Sequence, residues 1–327
     1  MDVEYLLKYL EDRLGRTYTK QRLGMENDHE AQRSAQARRS FGRGNLPSQR
    51  FLIEWILKLS GTYWRGAKNA RDVELRTNLV SSALVPPAFN GYVILHLSDL
   101  HADISEPAIK RVRELIQSAH YDICVMTGDY RGKTWGPYNR ALESMAEIRS
   151  SLRGHAYAVL GNHDSIGMVP ALETMGIRIL INEHRIIECG EDRIHLAGID
   201  DAHHFRMENV EKVASAIPHD EFSVLLSHTP EIYRQAAHAN FNVMLSGHTH
   251  GGQICLPGGI PLRLDCAVPR GMGAGAWCYG DMAGYTSVGA GTSLVPVRFN
   301  CLPEITLHRL ERTNVRQSRE VYEHSVG

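Results

Sequence analysis

Aspartate, asparagine and histidine recur in five short motifs along the chain: Asp99-Leu100-His101, Gly128-Asp129, Gly161-Asn162-His163-Asp164, Ser227-His228 and Gly247-His248-Thr249-His250. Carboxylate and amide oxygens and imidazole nitrogens are ligands for hard or borderline divalent metals. An Asp and a His two residues apart can share one ion. Alternate side chains of extended backbone splay apart, so His248 and His250 can each point to a different ion. The pattern predicts a pair of cations rather than one. Two cations side by side need a shared anionic bridge, and Asp129, alone at its strand end, suits that place. Each motif alone is weak evidence; the ordered set, each behind a strand-like run, is far more specific.

The elements that must hold these groups can be read in outline. Six short apolar, β-branched runs begin at Tyr92, Tyr121, His155, Arg193, Phe222 and Phe241. Each leads into a polar or Gly-containing loop, the rhythm of strands alternating with helices. The stretch from Glu106, with Pro107 in its first turn and Val112, Leu115 and Ile116 on one face, reads as an amphipathic helix. The fold class is therefore α/β, and the C-terminal strand ends share one edge where distant residues can converge. Beyond Gly251 the chain is rich in glycine and turn residues and is expected to add loops and antiparallel strands, before a polar tail from about Glu311.

Composition narrows the partners. A chain of 327 residues with 43% hydrophobic content can fill one large core or two ordinary ones. A formal charge of -1 leaves no net field to draw the whole molecule onto nucleic acid or an anionic membrane. The six cysteines form no C-x-x-C pair, which favours reduced thiols. The N-terminus lacks the pattern of a signal peptide, and no window reaches the roughly 18 apolar residues of a membrane span, so the expected address is cytoplasmic.

The first ninety residues differ in texture. Arg33, Arg38, Arg39, Arg43 and Arg50 fall in a stretch without an acid, and Phe51 to Leu59 is apolar apart from Glu54 and Lys58. That segment is too short to cross a bilayer. It reads either as a helix packed on the domain or on a second copy of the chain, or as an interfacial helix lying on a membrane beside basic residues.

The series S-D-L-H, G-D, G-N-H-D, S-H-T-P and G-H-T-H-G-G-Q resembles the calcineurin-like metallophosphoesterases over roughly residues 85 to 310. Its flanks resemble the bacterial phosphodiesterase branch, whose better-known members often carry an N-terminal membrane helix and which includes enzymes cleaving the pyrophosphate of UDP-diacylglucosamine. The resemblance implies a four-layer α/β/β/α sandwich, here with a mostly helical N-terminal extension (1–84), a catalytic domain (85–312) and a polar tail (313–327). It implies one metal held by Asp99, His101, Asp129 and His250, and a second by Asp129, Asn162, His228 and His248. His163 would be the non-ligand histidine serving the leaving oxygen, oriented by Asp164. The family commonly reads G-D-x-x-D where this chain has Gly132, a departure that touches local geometry more than metal binding.

The expected activity is a phosphodiesterase that uses two divalent ions, Mn2+ first and Fe2+ or Zn2+ as alternatives, to attack a diester or pyrophosphate in line with a bridging hydroxide. A phosphomonoesterase on the same centre is the near alternative; a non-catalytic scaffold is remote, because all the candidate ligands are present. Tyr130 and Arg131 directly follow the bridge, and Asp200, Asp201, His203 and His204 follow another strand; any of these could reach substrate. The expected partners are a small-molecule or lipid-linked phosphodiester, a membrane surface met peripherally through the N-terminal region, and a second copy of the chain. Nucleic acid is disfavoured because the catalytic portion has no basic excess.

Overall fold

The computed structural model describes residues 3–41 and 49–313, with side chains described for 3–32 and 50–313. Fourteen strands and nine α-helices occur among the described residues. The first sheet takes β1 (Glu74–Ser82), β2 (Val93–Leu97), β3 (Ile123–Met126), β4 (Ala156–Ala158) and β5 (Ile177–Ile179). The second takes β6 (Glu183–Cys189), β7 (Asp192–Gly198), β8 (Ser223–Leu226) and β9 (Val243–Ser246). The strands β10 (Cys255–Leu256) and β11 (Ile260–Pro261) make a small separate hairpin. β12 (Gly275–Tyr279) and β13 (Met282–Thr286) complete the second sheet, and β14 (Glu304–Arg312) returns to the first.

The first sheet runs β1-β14-β2-β3-β4-β5 and the second β12-β13-β9-β8-β7-β6. The central strands β2 to β5 and β7 to β9 are parallel, and β14 closes antiparallel on β2. Parallel strands are covered on both faces, which explains why their sequences are nearly continuous apolar runs. Alternation still decides which side chain goes where. Ile94, Val125 and Val159 meet Leu196, Val224 and Leu245 between the sheets. Their neighbours Leu95, Leu97, Cys124 and Met126 pack outward against α5 (Glu106–Ser118), α6 (Asn139–Ser151) and α7 (Val169–Thr174). On the far side Ala197, Leu225 and Met244 pack on α8 (Val210–Ala214) and α9 (Tyr233–His238). The result is the four-layer α/β/β/α sandwich.

The helix expected at Glu106 is α5. Ser105 caps it by accepting from the Ala108 N–H, and Val112, Leu115 and Ile116 are all buried. Ahead of the sandwich come α1 (Val3–Leu14), α2 (Arg16–Phe41), α3 (Gln49–Leu59) and α4 (Tyr63–Asn69). β1 belongs to this same N-terminal stretch, yet it pairs in parallel with β14 along its whole length and forms an edge of the first sheet. Leu10 of α1 is fully buried in the outer core of that sheet. Ile53 and Leu57 of α3 pack on Val295, Val297 and Phe299. All six cysteines are free thiols. Most of the arginine-rich stretch, Arg33 to Arg43, and the tail beyond Thr313 lie outside the residues whose side chains are described.

Candidate metal centre

The loops after β2, β3, β4, β8 and β9 meet at one edge, so the five motifs converge. Asp99, His101, Asp129, His248 and His250 all have positive φ, between 39° and 71°. That conformation is uncommon for residues with a side chain and is tolerated where surrounding structure enforces it for function. Gly247 shows how tight the packing is: a Cβ there would lie 2.3 Å from Asp99 Oδ2. The missing side chain lets the His248 N–H donate to Asp99 Oδ2 at 2.9 Å.

Two groups of inward-facing ligand atoms result. In one, Asn162 Oδ1 lies 2.8 Å from His228 Nε2 and 2.9 Å from His248 Nδ1, and these nitrogens are 3.2 Å apart. His228 Nδ1 meets the Thr127 carbonyl at 2.7 Å and His248 Nε2 meets the Asp265 carbonyl at 2.9 Å. A carbonyl only accepts, so each of those outer nitrogens carries a proton, and in the neutral ring that metal ligation requires each inner nitrogen is an acceptor. Three acceptors facing one another repel unless a positive charge lies among them, whether a metal ion or a proton on His228. In the other group, His101 donates through Nδ1 to the Arg131 carbonyl at 2.9 Å, which turns its Nε2 inward, 3.1 Å from His250 Nε2. His250 Nε2 is 3.5 Å from Asp99 Oδ1, and His101 Nε2 is 3.8 Å from Asp129 Oδ2. Asp129 Oδ2 also lies 3.5 Å from His228 Nε2, so this one carboxylate borders both groups. The donor set fits two divalent cations with Asp129 between them.

The electrostatics agree. Burial disfavours a charged His228, but Asp129 and Asp99 outweigh it and push its pKa up to about 9; the site favours a positive charge there. Burial raises Asp129 as well, yet His228, His163 and His101 hold it well below the usual carboxylate range. Burial, then the neighbouring His228 and His203, bring His248 down to about 4, the neutral form a ligand requires.

Residues 92–252, which contain all of these groups, match the calcineurin-like phosphoesterase family. The chain belongs to the calcineurin-like metallophosphoesterases. It is similar to the uncharacterized metallophosphoesterase YkoQ of Bacillus subtilis (strain 168), 28% identical over 260 residues that cover 76% of this chain and 94% of that one. YkuE of the same organism, also an uncharacterized metallophosphoesterase, is 28% identical over 74% of this chain and 87% of its own. The phosphodiesterase YaeI of Escherichia coli (strain K12) is 27% identical over 67% of this chain and 82% of its own.

Around this metallophosphoesterase centre some expected roles change. His163 stands beside the bridge, Nε2 3.9 Å from Asp129 Oδ2, with its ring partly exposed and its Nδ1 buried without a hydrogen-bond partner. Asp164 does not turn toward the His163 ring. Its carboxylate accepts from the backbone N–H groups of Asp129, Tyr130 and Gly161 at 2.7, 2.9 and 2.9 Å, so it positions the two loops rather than the imidazole. Burial and the Asp129 charge push it up to about 6, against the Gly161 N–H and the charges of Arg131 and His228. Tyr130 is buried and donates to the Val159 carbonyl at 2.6 Å, out of reach of a substrate. Arg131 is also buried, its guanidinium spent on the carbonyls of His163, Gly136 and Thr134. His203 remains at the rim, its ring 4.2 Å from that of His248 and its Nδ1 2.7 Å from Glu231. His204 packs instead on His29 of α2 and on Phe205.

Gly132 sits close under the exposed Ile104 side chain. A Cβ there would lie 2.5 Å from the Ile104 side chain, and Asp103 supplies a carboxylate in that corner by accepting from the Gly132 N–H at 2.6 Å.

Sequence reading missed three supports. Arg298, fully buried, donates to the carbonyls of Val288, Gly289, Gly291 and His250 and to His250 Nδ1, bracing the last histidine loop. Asp265 fixes the ring of His248 through its carbonyl, a contact no side-chain motif could announce. Arg22 of α2 is the third. It is fully buried, 3.1 Å from Asp200, and donates to the Asp164 carbonyl at 3.4 Å with its guanidinium 3.3 Å from the Phe205 ring centroid. Its helix neighbour Glu26 accepts from Ser165 Oγ at 2.6 Å and from the Ile166 N–H at 2.8 Å, directly after the G-N-H-D motif. Asp200, expected at the rim, is thus committed to α2.

The centre opens into a cavity of about 650 Å³. Its floor is Asp129, Asn162, His163, His248 and His250, and its walls include Ile53, Ile56 and Leu57 of α3, with Leu262 and Leu294 among the remaining residues.

Proposed function

We propose that this metallophosphoesterase is a metal-dependent phosphodiesterase acting on a phosphodiester or pyrophosphate with an apolar arm, either a small molecule or a lipid-linked one. Two divalent cations, Mn2+ by preference and Fe2+ or Zn2+ as alternatives, would supply charge neutralisation of the phosphate and activation of water at neutral pH. Asp99, His101, Asp129 and His250 would hold one, and Asp129, Asn162, His228 and His248 the other. His163, with its ring exposed to the cavity beside Asp129, is the group available to give a proton to the departing oxygen; such transfer is typically worth about 10²- to 10⁴-fold. Asp164, Arg22 and Glu26 keep its loop in place.

The observation that carries the reading is the lining of the cavity. Beyond the candidate ligands and His163, its one cationic side chain among the described residues is Arg263, which is exposed and already 3.0 Å from Asp265. A phosphomonoester dianion would want more positive charge than this, whereas a diester carries one negative charge and two organic arms, one of which the apolar wall can take up. Similarity to the phosphodiesterase YaeI supports the same choice.

The test is turnover of bis-p-nitrophenyl phosphate and p-nitrophenyl phosphate by chelator-stripped protein resupplied with Mn2+, with Asp129→Asn as the blank. Metal-dependent turnover that favours the diester and vanishes in the variant is expected. Preference for the monoester would move the assignment to a phosphatase. No turnover of either ester with Mn2+, Fe2+ or Zn2+ would refute catalysis on simple esters.

A further inference from the structure

The helix α3 has two faces with different fates. Ile53 and Leu57 pack inward, while Leu52, Trp55, Ile56 and Leu59, spaced as one helical stripe, face outward at 49%, 54%, 53% and 69% exposure. Trp64 at the start of α4 is 77% exposed. Across the cavity mouth Leu262 and Leu294 are 61% and 55% exposed, and Ile56 belongs both to the stripe and to the cavity wall. An apolar rim around a polar site is rare on a protein that meets only water.

Charge indicates what covers it. Residues 49–71 hold five cations, Arg50, Lys58, Arg65, Lys68 and Arg71, against one acid, Glu54. Glu54 is shared between Arg50 at 3.1 Å and Lys58 at 3.7 Å, along the edge of the stripe. A second copy of the chain meeting this surface across a two-fold axis would bring cations against cations. An anionic bilayer presents hydrocarbon to the stripe and phosphate to its edge, and tryptophan favours that boundary. An eleven-residue helix is too short to cross a bilayer, and no helix among the described residues is long and apolar enough to do so.

We propose that the outward face of α3, with Trp64 and the cations of residues 50–71, is a docking surface for an anionic phospholipid bilayer. It lies in the plane of the interface and sets the cavity mouth against the lipid. The part of this idea that concerns delivery of an amphiphilic diester rests on the phosphodiesterase reading; docking itself does not.

The experiment is co-sedimentation of the full chain with vesicles of phosphatidylglycerol and phosphatidylcholine in equal parts and of phosphatidylcholine alone, at low and high salt. The comparison is Trp55→Glu/Leu59→Glu, neither residue lining the cavity. Binding to the anionic vesicles, weakened at least tenfold in the double variant and reduced by salt, is expected, with bis-p-nitrophenyl phosphate turnover in solution unchanged. Trp55→Gln serves as a milder variant should the double one fail to fold. Absence of binding, equal binding by wild type and variant, or a wild-type dimer that the variant makes monomeric would each overturn the docking surface. Vesicle binding without ester turnover would leave docking standing and remove the phosphodiesterase reading instead.

Discussion

The two ends of the N-terminal extension meet the domain in opposite ways. α1 and α2 are held by charge taken out of water: Arg13 pairs with Glu173 and Glu183, Tyr18 donates to Asp200, and Arg22 lies fully buried between Asp200, Glu26 and the Phe205 ring. α3 is held by a few apolar contacts and leaves a stripe of large hydrophobic side chains in the open. Position in the fold explains the difference. α2 crosses the back of the loops that carry Asp164 and Asp200, where a buried polar group must find partners. α3 borders the cavity mouth, where an outward apolar face can serve an external surface.

Breaking the α2 side of that contrast should have the largest effect. Arg22→Met leaves Asp200 buried with no cation beside it, and a loss of about 3–5 kcal/mol in urea unfolding is expected. A loss under about 1 kcal/mol would mean that α2 is a passive cover. Metal should separate the two helices next. Ligand at about a hundredfold its dissociation constant adds about 2.7 kcal/mol to a folded state, so Mn2+ should raise the unfolding midpoint. It should slow amide exchange in residues 22–29 and 161–166 while leaving α3 unchanged; equal slowing in α3 would erase the distinction.

Glu26→Gln removes the charge that pairs with Arg22 and accepts from Ser165 and Ile166. A cost of about 1–3 kcal/mol is expected, together with a lower kcat at little-changed KM, because the His163 loop loosens while the cavity walls stay in place. A pure KM effect would place Glu26 in substrate binding instead. The rim opposite the extension offers a pH readout. Burial raises Glu231, but hydrogen bonds from His203 and the Ala267 N–H outweigh it and bring it down to about 2. A depressed carboxylate stabilises the fold above its unfolded pKa, about 4.3, and that contribution fades as pH falls toward 2. After discount for partial exposure, about 1 kcal/mol should be lost between pH 5 and 2 and be absent in Glu231→Gln. The smallest effect belongs to α3, where Trp55→Glu should change unfolding by no more than about 0.5 kcal/mol, the range of exposed positions free of special contacts.

The central strands were legible as elements because parallel strands buried on both faces must be short apolar runs, whereas their order in the two sheets is set by tertiary pairing. Asp99, His101, Asp129, Asn162, His228, His248 and His250 could be picked out because ligand chemistry restricts the residue types at a strand end. Tyr130 and Arg131 were misjudged for a related reason. Adjacency to a ligand says nothing of direction, and the backbone after Asp129 turns both side chains inward, to Val159 and to the carbonyls of residues 134, 136 and 163. Asp164 looked like a partner for His163, yet a carboxylate next to three unpaired backbone N–H groups satisfies those first. Arg298 and Arg22 were invisible because isolated arginines ordinarily face solvent.

The amino-acid sequence by itself therefore determined the α/β class, the run of motifs and the amphipathic character of α3, since these rest on residue type and spacing along the chain. Tertiary structure decided what spacing cannot encode. It tied α2 to the loop that holds His163, and it set the apolar face of α3 at the mouth of the cavity. It also aimed the inner nitrogens of His101, His228 and His248 at two points bordered by one aspartate. Each of these depends on which backbone carbonyl or buried charge lies opposite a side chain, a fact created only when distant segments pack.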